Sequence, residues 1–412
     1  MVMCVTKNPS CDPLEIGDKP AAWGAVFAIA LGAFALIASE FLPVSLLTPI
    51  AVGLKITEGQ AGQAISVSGA FALITSLAIS SLAGQLDRKV LLLSLTALMI
   101  GSGMVVALAP NYATFIVGRA LIGIAIGGFW SMSVATAMRL VPDAQIPRAL
   151  AIINGGNAVA SVVAAPLGSY LGSIIGWRGA FFCVVPLATI TLIWQWISLP
   201  SMPAARRAKS NLFRLLLRPS VGVGMLAVSL FFMGQFTLFT YLRPFLETVT
   251  HVHAGGLSLL LLTIGVTGVA GTALIGPLLA SSLYRTLIAI PILMAAIALA
   301  LLAYGSSVAA TAVLLGAWGF TATAAPVAWW TWLARALPDD AEAGGGLMVA
   351  VVQLAIAAGA TAGGVLFDAS GYKATFGVSA GLLLAAAVIA TLTAMAVRRS
   401  RSSQGVLGAQ TS

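Results

Sequence analysis

Twelve stretches of almost uninterrupted apolar residues, each separated by a short polar break, run through this chain. In the first half they cover 23–47, 62–83, 90–108, 113–137, 149–171 and 179–197. In the second half they cover 221–242, 257–279, 287–303, 308–333, 345–367 and 375–397. An α-helix needs about 20 apolar residues to cross a bilayer, and most of these runs reach that length. The pattern predicts an all-α membrane protein with twelve transmembrane helices. The segment 199–218, with Pro200, Pro203 and five basic residues, divides the chain six plus six. The expected parts are a tail over 1–22, a six-helix half over 23–198, a linker over 199–218, a second half over 219–397 and a tail over 398–412.

Composition agrees with lipid as the solvent. Of 412 residues, 59% are hydrophobic and 8% charged, and the mean hydropathy is +1.03. The net charge of +9 would suggest nucleic acid if the basic residues shared one face. They lie instead in short breaks and tails. With the N-terminus inside, sixteen fall on the inner side, four (Lys55, Arg178, Arg243 and Lys373) fall outside, and Arg119 lies within a span, making the 21. This asymmetry orients both termini towards the cytoplasm. Cys4, Cys11 and Cys183 form no metal or disulfide framework. His251 and His253 are too few for a metal site and read as solvated. The first twenty residues lack an apolar core, so they read as a polar tail and not a signal peptide.

The halves repeat. Arg139-Leu-Val-Pro-Asp143 returns as Arg335-Ala-Leu-Pro-Asp339, 196 positions later. The same offset carries Asn157 onto Gln353 and Gly168 onto Gly364. One residue less carries Gly176-Trp177-Arg178 onto Gly371-Tyr372-Lys373. Parallel six-span repeats around a central cavity describe a large class of secondary transporters.

Two charged side chains lie deep in apolar runs, Glu40 and Arg119. At 1.5 Å rise per residue both sit about 7–9 Å outward of mid-span, at a shared level. Charges at such depth are functional-site hypotheses by default. The bland alternative is an ion pair that only fixes helix packing. Hydrocarbon opposes the charge on a carboxylate and a neighbouring guanidinium favours it. Arginine stays charged, so Glu40 is the member able to exchange a proton.

Trp130, Asn154, Asn157, Gln235, Trp330 and Gln353 are candidates to line the cavity, since amides in hydrocarbon need partners and indoles stack on flat ligands. For any single amide, interhelical hydrogen bonding is the simpler explanation. Trp332, near an inner end, fits an interfacial belt. Gly123 and Gly127 have the GxxxG spacing of close helix packing, and Pro166 and Gly168 read as a bending and packing element. No nucleotide-binding glycine loop, nucleophile elbow or HExxH motif is present, so neither an enzyme nor an ATP-driven pump is expected.

The residues Glu40-Phe-Leu-Pro-Val-Ser-Leu-Leu-Thr-Pro49, Gly118-Arg119, Gly127-Gly-Phe-Trp130, Met138-Arg-Leu-Val-Pro142, Ala165-Pro-Leu-Gly168-Ser and Thr240-Tyr-Leu-Arg-Pro244 carry a resemblance. From Trp23 to about Val397 the chain resembles the drug:proton antiporter branch of the major facilitator superfamily. It is most similar there to bacterial purine ribonucleoside efflux permeases. The resemblance implies proton coupling through Glu40 and Arg119 and gating by Asp87, Arg88, Pro166 and Gly168. Two motifs depart from the family pattern: Gly84-Gln-Leu-Asp87-Arg88-Lys89 is one residue short, and Ala165 and Ser169 stand where glycines are common.

The reading is therefore a proton-coupled antiporter of the bacterial inner membrane, exporting purine ribonucleosides such as inosine and guanosine by alternating access. It needs no cofactor besides the proton gradient, which supplies about 2.3 kcal/mol per charge per 100 mV. Its expected partners are a small-molecule substrate and the lipid bilayer, with no nucleic acid, and it is expected to be monomeric. The alternatives are export of sugars, drugs or other metabolites and, in another class, a membrane receptor that moves nothing.

Overall fold

The computed structural model describes residues 21–82, 86–142, 145–203, 216–337 and 341–410. Both tails as drawn from the sequence, most of the linker and the Pro338-Asp339 end of the repeat lie outside these residues, in whole or in part. Eleven helices are described: α1 (Trp23–Leu54), α2 (Glu58–Leu82), α3 (Arg88–Ala107), α4 (Tyr112–Leu140), α5 (Ile146–Phe182), α6 (Val184–Ser198), α7 (Pro219–Phe239), α8 (Leu242–Thr248), α9 (Ala254–Tyr304), α10 (Val308–Ala336) and α11 (Ala341–Gln410).

Among the described residues, nine helical stretches are long and apolar enough to cross a membrane. Three of them break within their length, at Gly176, Ser282 and Gly371. Each break begins a new pass, which makes the twelve passes that the hydropathy pattern predicts. The breaks at Gly176 (φ 74°) and Gly371 (φ 73°) use a left-handed backbone conformation that glycine adopts without a Cβ clash. They are the same two glycines that the repeat aligns.

The repeat is also visible in packing. A Cβ on Gly123 of α4 would collide with the Ser68 carbonyl oxygen of α2, and one on Gly127 with that of Ala72. In the second half, a Cβ on Gly319 would meet the Ile264 carbonyl, 196 residues after the first pair. Thr323 Oγ1, the counterpart of Gly127, donates to the Gly268 carbonyl at 2.6 Å. Backbones thus touch at matching places in the two halves, which is the close packing that small residues permit between helices in lipid.

Within the first half, α5 packs along α1, and α4 packs between α2 and α3. Within the second, α11 packs along α7, and α10 along α9. The halves meet through α2 against α11 and α5 against α9.

Three sequence expectations shift. The first span runs on to Leu54, seven residues beyond 47, and closes with Lys55 in a left-handed cap that donates to Ala51 and Val52. The seventh run folds as α7, which stops at Phe239, and a separate short helix, α8, starts at the run's last residue, Leu242. Pro244 has no N–H to offer the Thr240 carbonyl one turn back, so the helix restarts through Thr240-Tyr241. Trp332 is no belt residue: it is 1% exposed and packs over Gly224, whose missing side chain makes room for the indole.

Candidate functional site

The deep pair sits where α1, α2, α4 and α11 converge. Glu40 is 4% exposed and Arg119 fully buried. Arg119 Nη1 donates to the Ser39 carbonyl at 2.8 Å and Nη2 to the Glu40 carbonyl at 3.1 Å. Its Nε reaches the Ala64 carbonyl at 3.2 Å and Nη2 the Ser68 hydroxyl at 3.3 Å. The sequence places the two residues at one level, and the structure agrees. It does not hydrogen-bond the guanidinium to the Glu40 carboxylate.

The reason lies in the sequence of α1. Pro43 has no N–H, so the Ser39 carbonyl one turn earlier loses its helical donor. In a membrane a stranded carbonyl must find another, and Arg119 supplies it. The guanidinium therefore clasps the backbone of α1 to α2 and α4. The Glu40 carboxyl makes no direct hydrogen bond among the described residues, and the Gln353 side chain of α11 is its polar neighbour from the other half. Gln353 is 7% exposed, and its Oε1 has no partner among the described residues. The Gln353 backbone also crosses α2 closely, its carbonyl 3.0 Å from where a Gly69 Cβ would stand. A carboxyl from one half thus faces an amide from the other.

Next to this contact Phe41 stacks on Phe236 of α7, with ring centroids 6.0 Å apart and planes at 22°. Gln235, beside Phe236, is half-buried and its Oε1 is also unpartnered. The other candidates lie apart. Trp130 meets Phe129 edge-on at 5.5 Å in the core of the first half. Asn154 is exposed and returns its amide to the Leu150 carbonyl of its own helix at 2.9 Å. Asn157 is half-buried, and Trp330 is exposed near Gly345. Pro166 and Gly168 are buried in α5, with Gly168 against Leu42 and Ser45 of α1.

Asp87 and Arg88 act on the chain that leaves the first half. Asp87 caps α3 by accepting from the Lys89 N–H at 2.7 Å, and it also accepts from the Met202 N–H at 2.9 Å and the Ser201 hydroxyl. The Arg88 N–H donates to the Met202 carbonyl at 3.0 Å. Partial burial works against ionisation of Asp87. The bonds from Ser201, Met202 and Lys89 outweigh it and hold the carboxyl below the ordinary aspartate value.

At the end of the bundle that carries the α1–α2 turn, several hydrogen bonds join the halves. Asp368 of α11 accepts from the Thr57 hydroxyl at 2.6 Å and the Gly59 N–H at 2.9 Å. Thr361 reaches Gln63 at 3.4 Å, and Arg243 donates to the Ser45 carbonyl. The structure is therefore closed at this end. Sequence reasoning missed Asp368 and Arg243 because both fall at the margins of apolar runs, where Arg243 reads as an outer-loop charge. The findable signal was Pro49, which strands the Ser45 carbonyl just as Pro43 strands that of Ser39.

A family model for the Major Facilitator Superfamily matches residues 29–360. The chain belongs to the major facilitator superfamily. Among superfamily relatives, it is 62% identical over 385 residues to a Pseudomonas aeruginosa protein named transcription regulatory protein OpdE, covering 92% of this chain and 96% of that one. It is 41% identical over 368 residues to the purine ribonucleoside efflux pump NepI of Salmonella typhimurium, covering 89% and 93% respectively. In fold it is similar to a bacterial homologue of the human lysosomal transporter Spinster, solved in an inward-facing and unoccupied conformation. That match has a TM-score of 0.71 at 16% identity, over 92% of this chain and 96% of that one. A D-xylose–proton symporter gives a TM-score of 0.71 at 15% identity, over 89% and 97%. The major facilitator fold of the chain is thus established by sequence and by shape.

Proposed function

We propose that this chain is a proton-coupled antiporter that exports purine ribonucleosides or close analogues across the bacterial inner membrane. The observation that carries the reading is the Glu40 carboxyl, buried at the junction of the halves and facing Gln353. A charge change there alters a contact that the two halves share, so protonation biases which packing they adopt. Likeness to the purine ribonucleoside efflux pumps over 93% of their length supports the cargo. The unpartnered Oε1 atoms of Gln235 and Gln353 suit a hydrogen-bonding base, and the Phe41–Phe236 stack suits a flat one. The basic-residue asymmetry supports cytoplasmic termini, so the closed end of the bundle faces outward. The experiment is uptake of labelled inosine into everted membrane vesicles, driven by an imposed pH gradient.

A second reading follows from the 62% identity to a protein named as a transcription regulator. On it the chain senses a solute without moving it. Saturable inosine binding with no flux in everted vesicles would favour the sensor.

A further inference from the structure

Helix α1 contains two prolines, Pro43 and Pro49. Each removes the N–H that would serve the carbonyl one turn earlier, at Ser39 and Ser45. Both stranded carbonyls are capped by an arginine, but from different places. Ser39 is held by Arg119 of the same half, whereas Ser45 is held by Arg243 of the other. Ser45 is fully buried, and its own hydroxyl donates to the Leu42 carbonyl at 3.0 Å, so it does not serve the stranded oxygen. Arg243 is 7% exposed. Its Nε is bonded to Glu247 one turn along α8 at 2.8 Å, which fixes the guanidinium with Nη1 aimed at α1.

The two caps differ in what movement does to them. The Arg119 clasp lies inside one rigid half and survives any motion of the halves. The Arg243 clasp spans them and must break when this end opens. A carbonyl with no helical donor cannot be left bare in an apolar seam. The bond is therefore released only when water reaches Ser45, which makes parting of the halves and wetting of the seam one event. We infer that Arg243 is a positioning residue of the transport cycle, latching the closed end by capping the carbonyl that Pro49 strands. The latch does not depend on the identity of the cargo.

The test places spin labels at Lys55 and Lys373, exposed residues of opposite halves, after Cys4, Cys11 and Cys183 are changed to serine. Distances are measured by electron paramagnetic resonance in the reconstituted full chain. Arg243→Ala should raise the fraction of long, parted distances by about threefold or more, as removal of a state-specific contact shifts a two-state balance. Pro49→Ala restores a helical donor to Ser45, so it should shift the balance in the same direction without a folding penalty. The double variant should show no more than the larger single effect, because both changes remove one interaction. Arg243→Lys, which keeps a donor, should restore the parent distribution. If Arg243→Ala does not insert, Pro49→Ala alone decides the matter. Parent-like distances in Pro49→Ala, full additivity in the double variant, or Arg243→Lys behaving as Arg243→Ala would each overturn the latch.

Discussion

Arg119 Nη1 meets the Ser39 carbonyl at 2.8 Å, and that carbonyl is free because residue 43 is proline. The deep arginine of this protein therefore serves the backbone of α1 before it serves the carboxylate of Glu40. Bonds to a charged donor contribute about 1.5–3 kcal/mol each, and bare buried acceptors add their desolvation cost.

Arg119→Ala should consequently destabilise the protein severely, and Arg119→Lys less so, because lysine can cap at least one of the carbonyls. If backbone capping dominates, Glu40→Gln added to Arg119→Ala should recover little of the loss. Thermal unfolding in detergent reads this. Recovery of parental Tm in the double variant would show that a stranded charge, and not a stranded carbonyl, is the cost.

Gly127→Leu should prevent α4 from lying against Ala72 of α2. Overpacking of this kind costs about 1–3 kcal/mol, and more where backbone is the obstacle. Insertion into the membrane should persist while Tm falls. A parental Tm would mean that α2 and α4 have slack that the structure does not show.

The fold was largely readable because lipid forces each pass to announce itself as a long apolar run. The breaks at Gly176 and Gly371 were marked by the repeat, and Gly123 and Gly127 by their spacing. The candidate site was readable only in part. Depth along a helix follows from counting residues, so Glu40 and Arg119 could be placed at one level. Azimuth does not follow when all sides of a helix are apolar, as in α1. That is why the carboxyl's turn towards Gln353 was hidden, as was the guanidinium's turn towards backbone. The separation of Trp130, Asn154 and Trp330 from the Glu40 contact is instead one of depth: Trp130 lies eleven residues along α4 from Arg119, Gly156 beside Asn154 packs at Ala30, and Trp330 packs at Gly345. Arg243 and Asp368 were hidden because the sequence shows the ends of runs without showing which ends touch.

Asp87 should pin the start of the linker down to acidic pH. Its folded pKa lies below the unfolded value, so its contribution is present above the unfolded value and is lost as pH falls through the folded one. The window lies below about pH 4. A spin label at the exposed Pro200 should stay immobile from neutral pH to about pH 5 and loosen only in stronger acid. Asp87→Asn should loosen it at every pH. Mobility that changes between pH 6 and 8 would assign the control to another group.

Gln353→Ala should raise the inosine concentration needed for half-maximal transport while leaving the protein inserted. Removing one hydrogen bond to a ligand costs about 0.5–1.5 kcal/mol, which corresponds to roughly 2- to 13-fold in affinity. Trp130→Ala and Asn157→Ala, farther from Glu40, provide the comparison. Unchanged affinity in all three would place the cargo elsewhere.

The central claim is that Glu40 carries the coupled proton. Its most direct test is proton release on addition of inosine to the purified protein in lightly buffered detergent, read with a pH indicator. The parent should release protons as substrate binds. Glu40→Gln should bind inosine with similar affinity, release none and lose uphill, pH-driven transport. Parental proton release from Glu40→Gln would contradict the account and leave Glu40 as a structural contact between the halves.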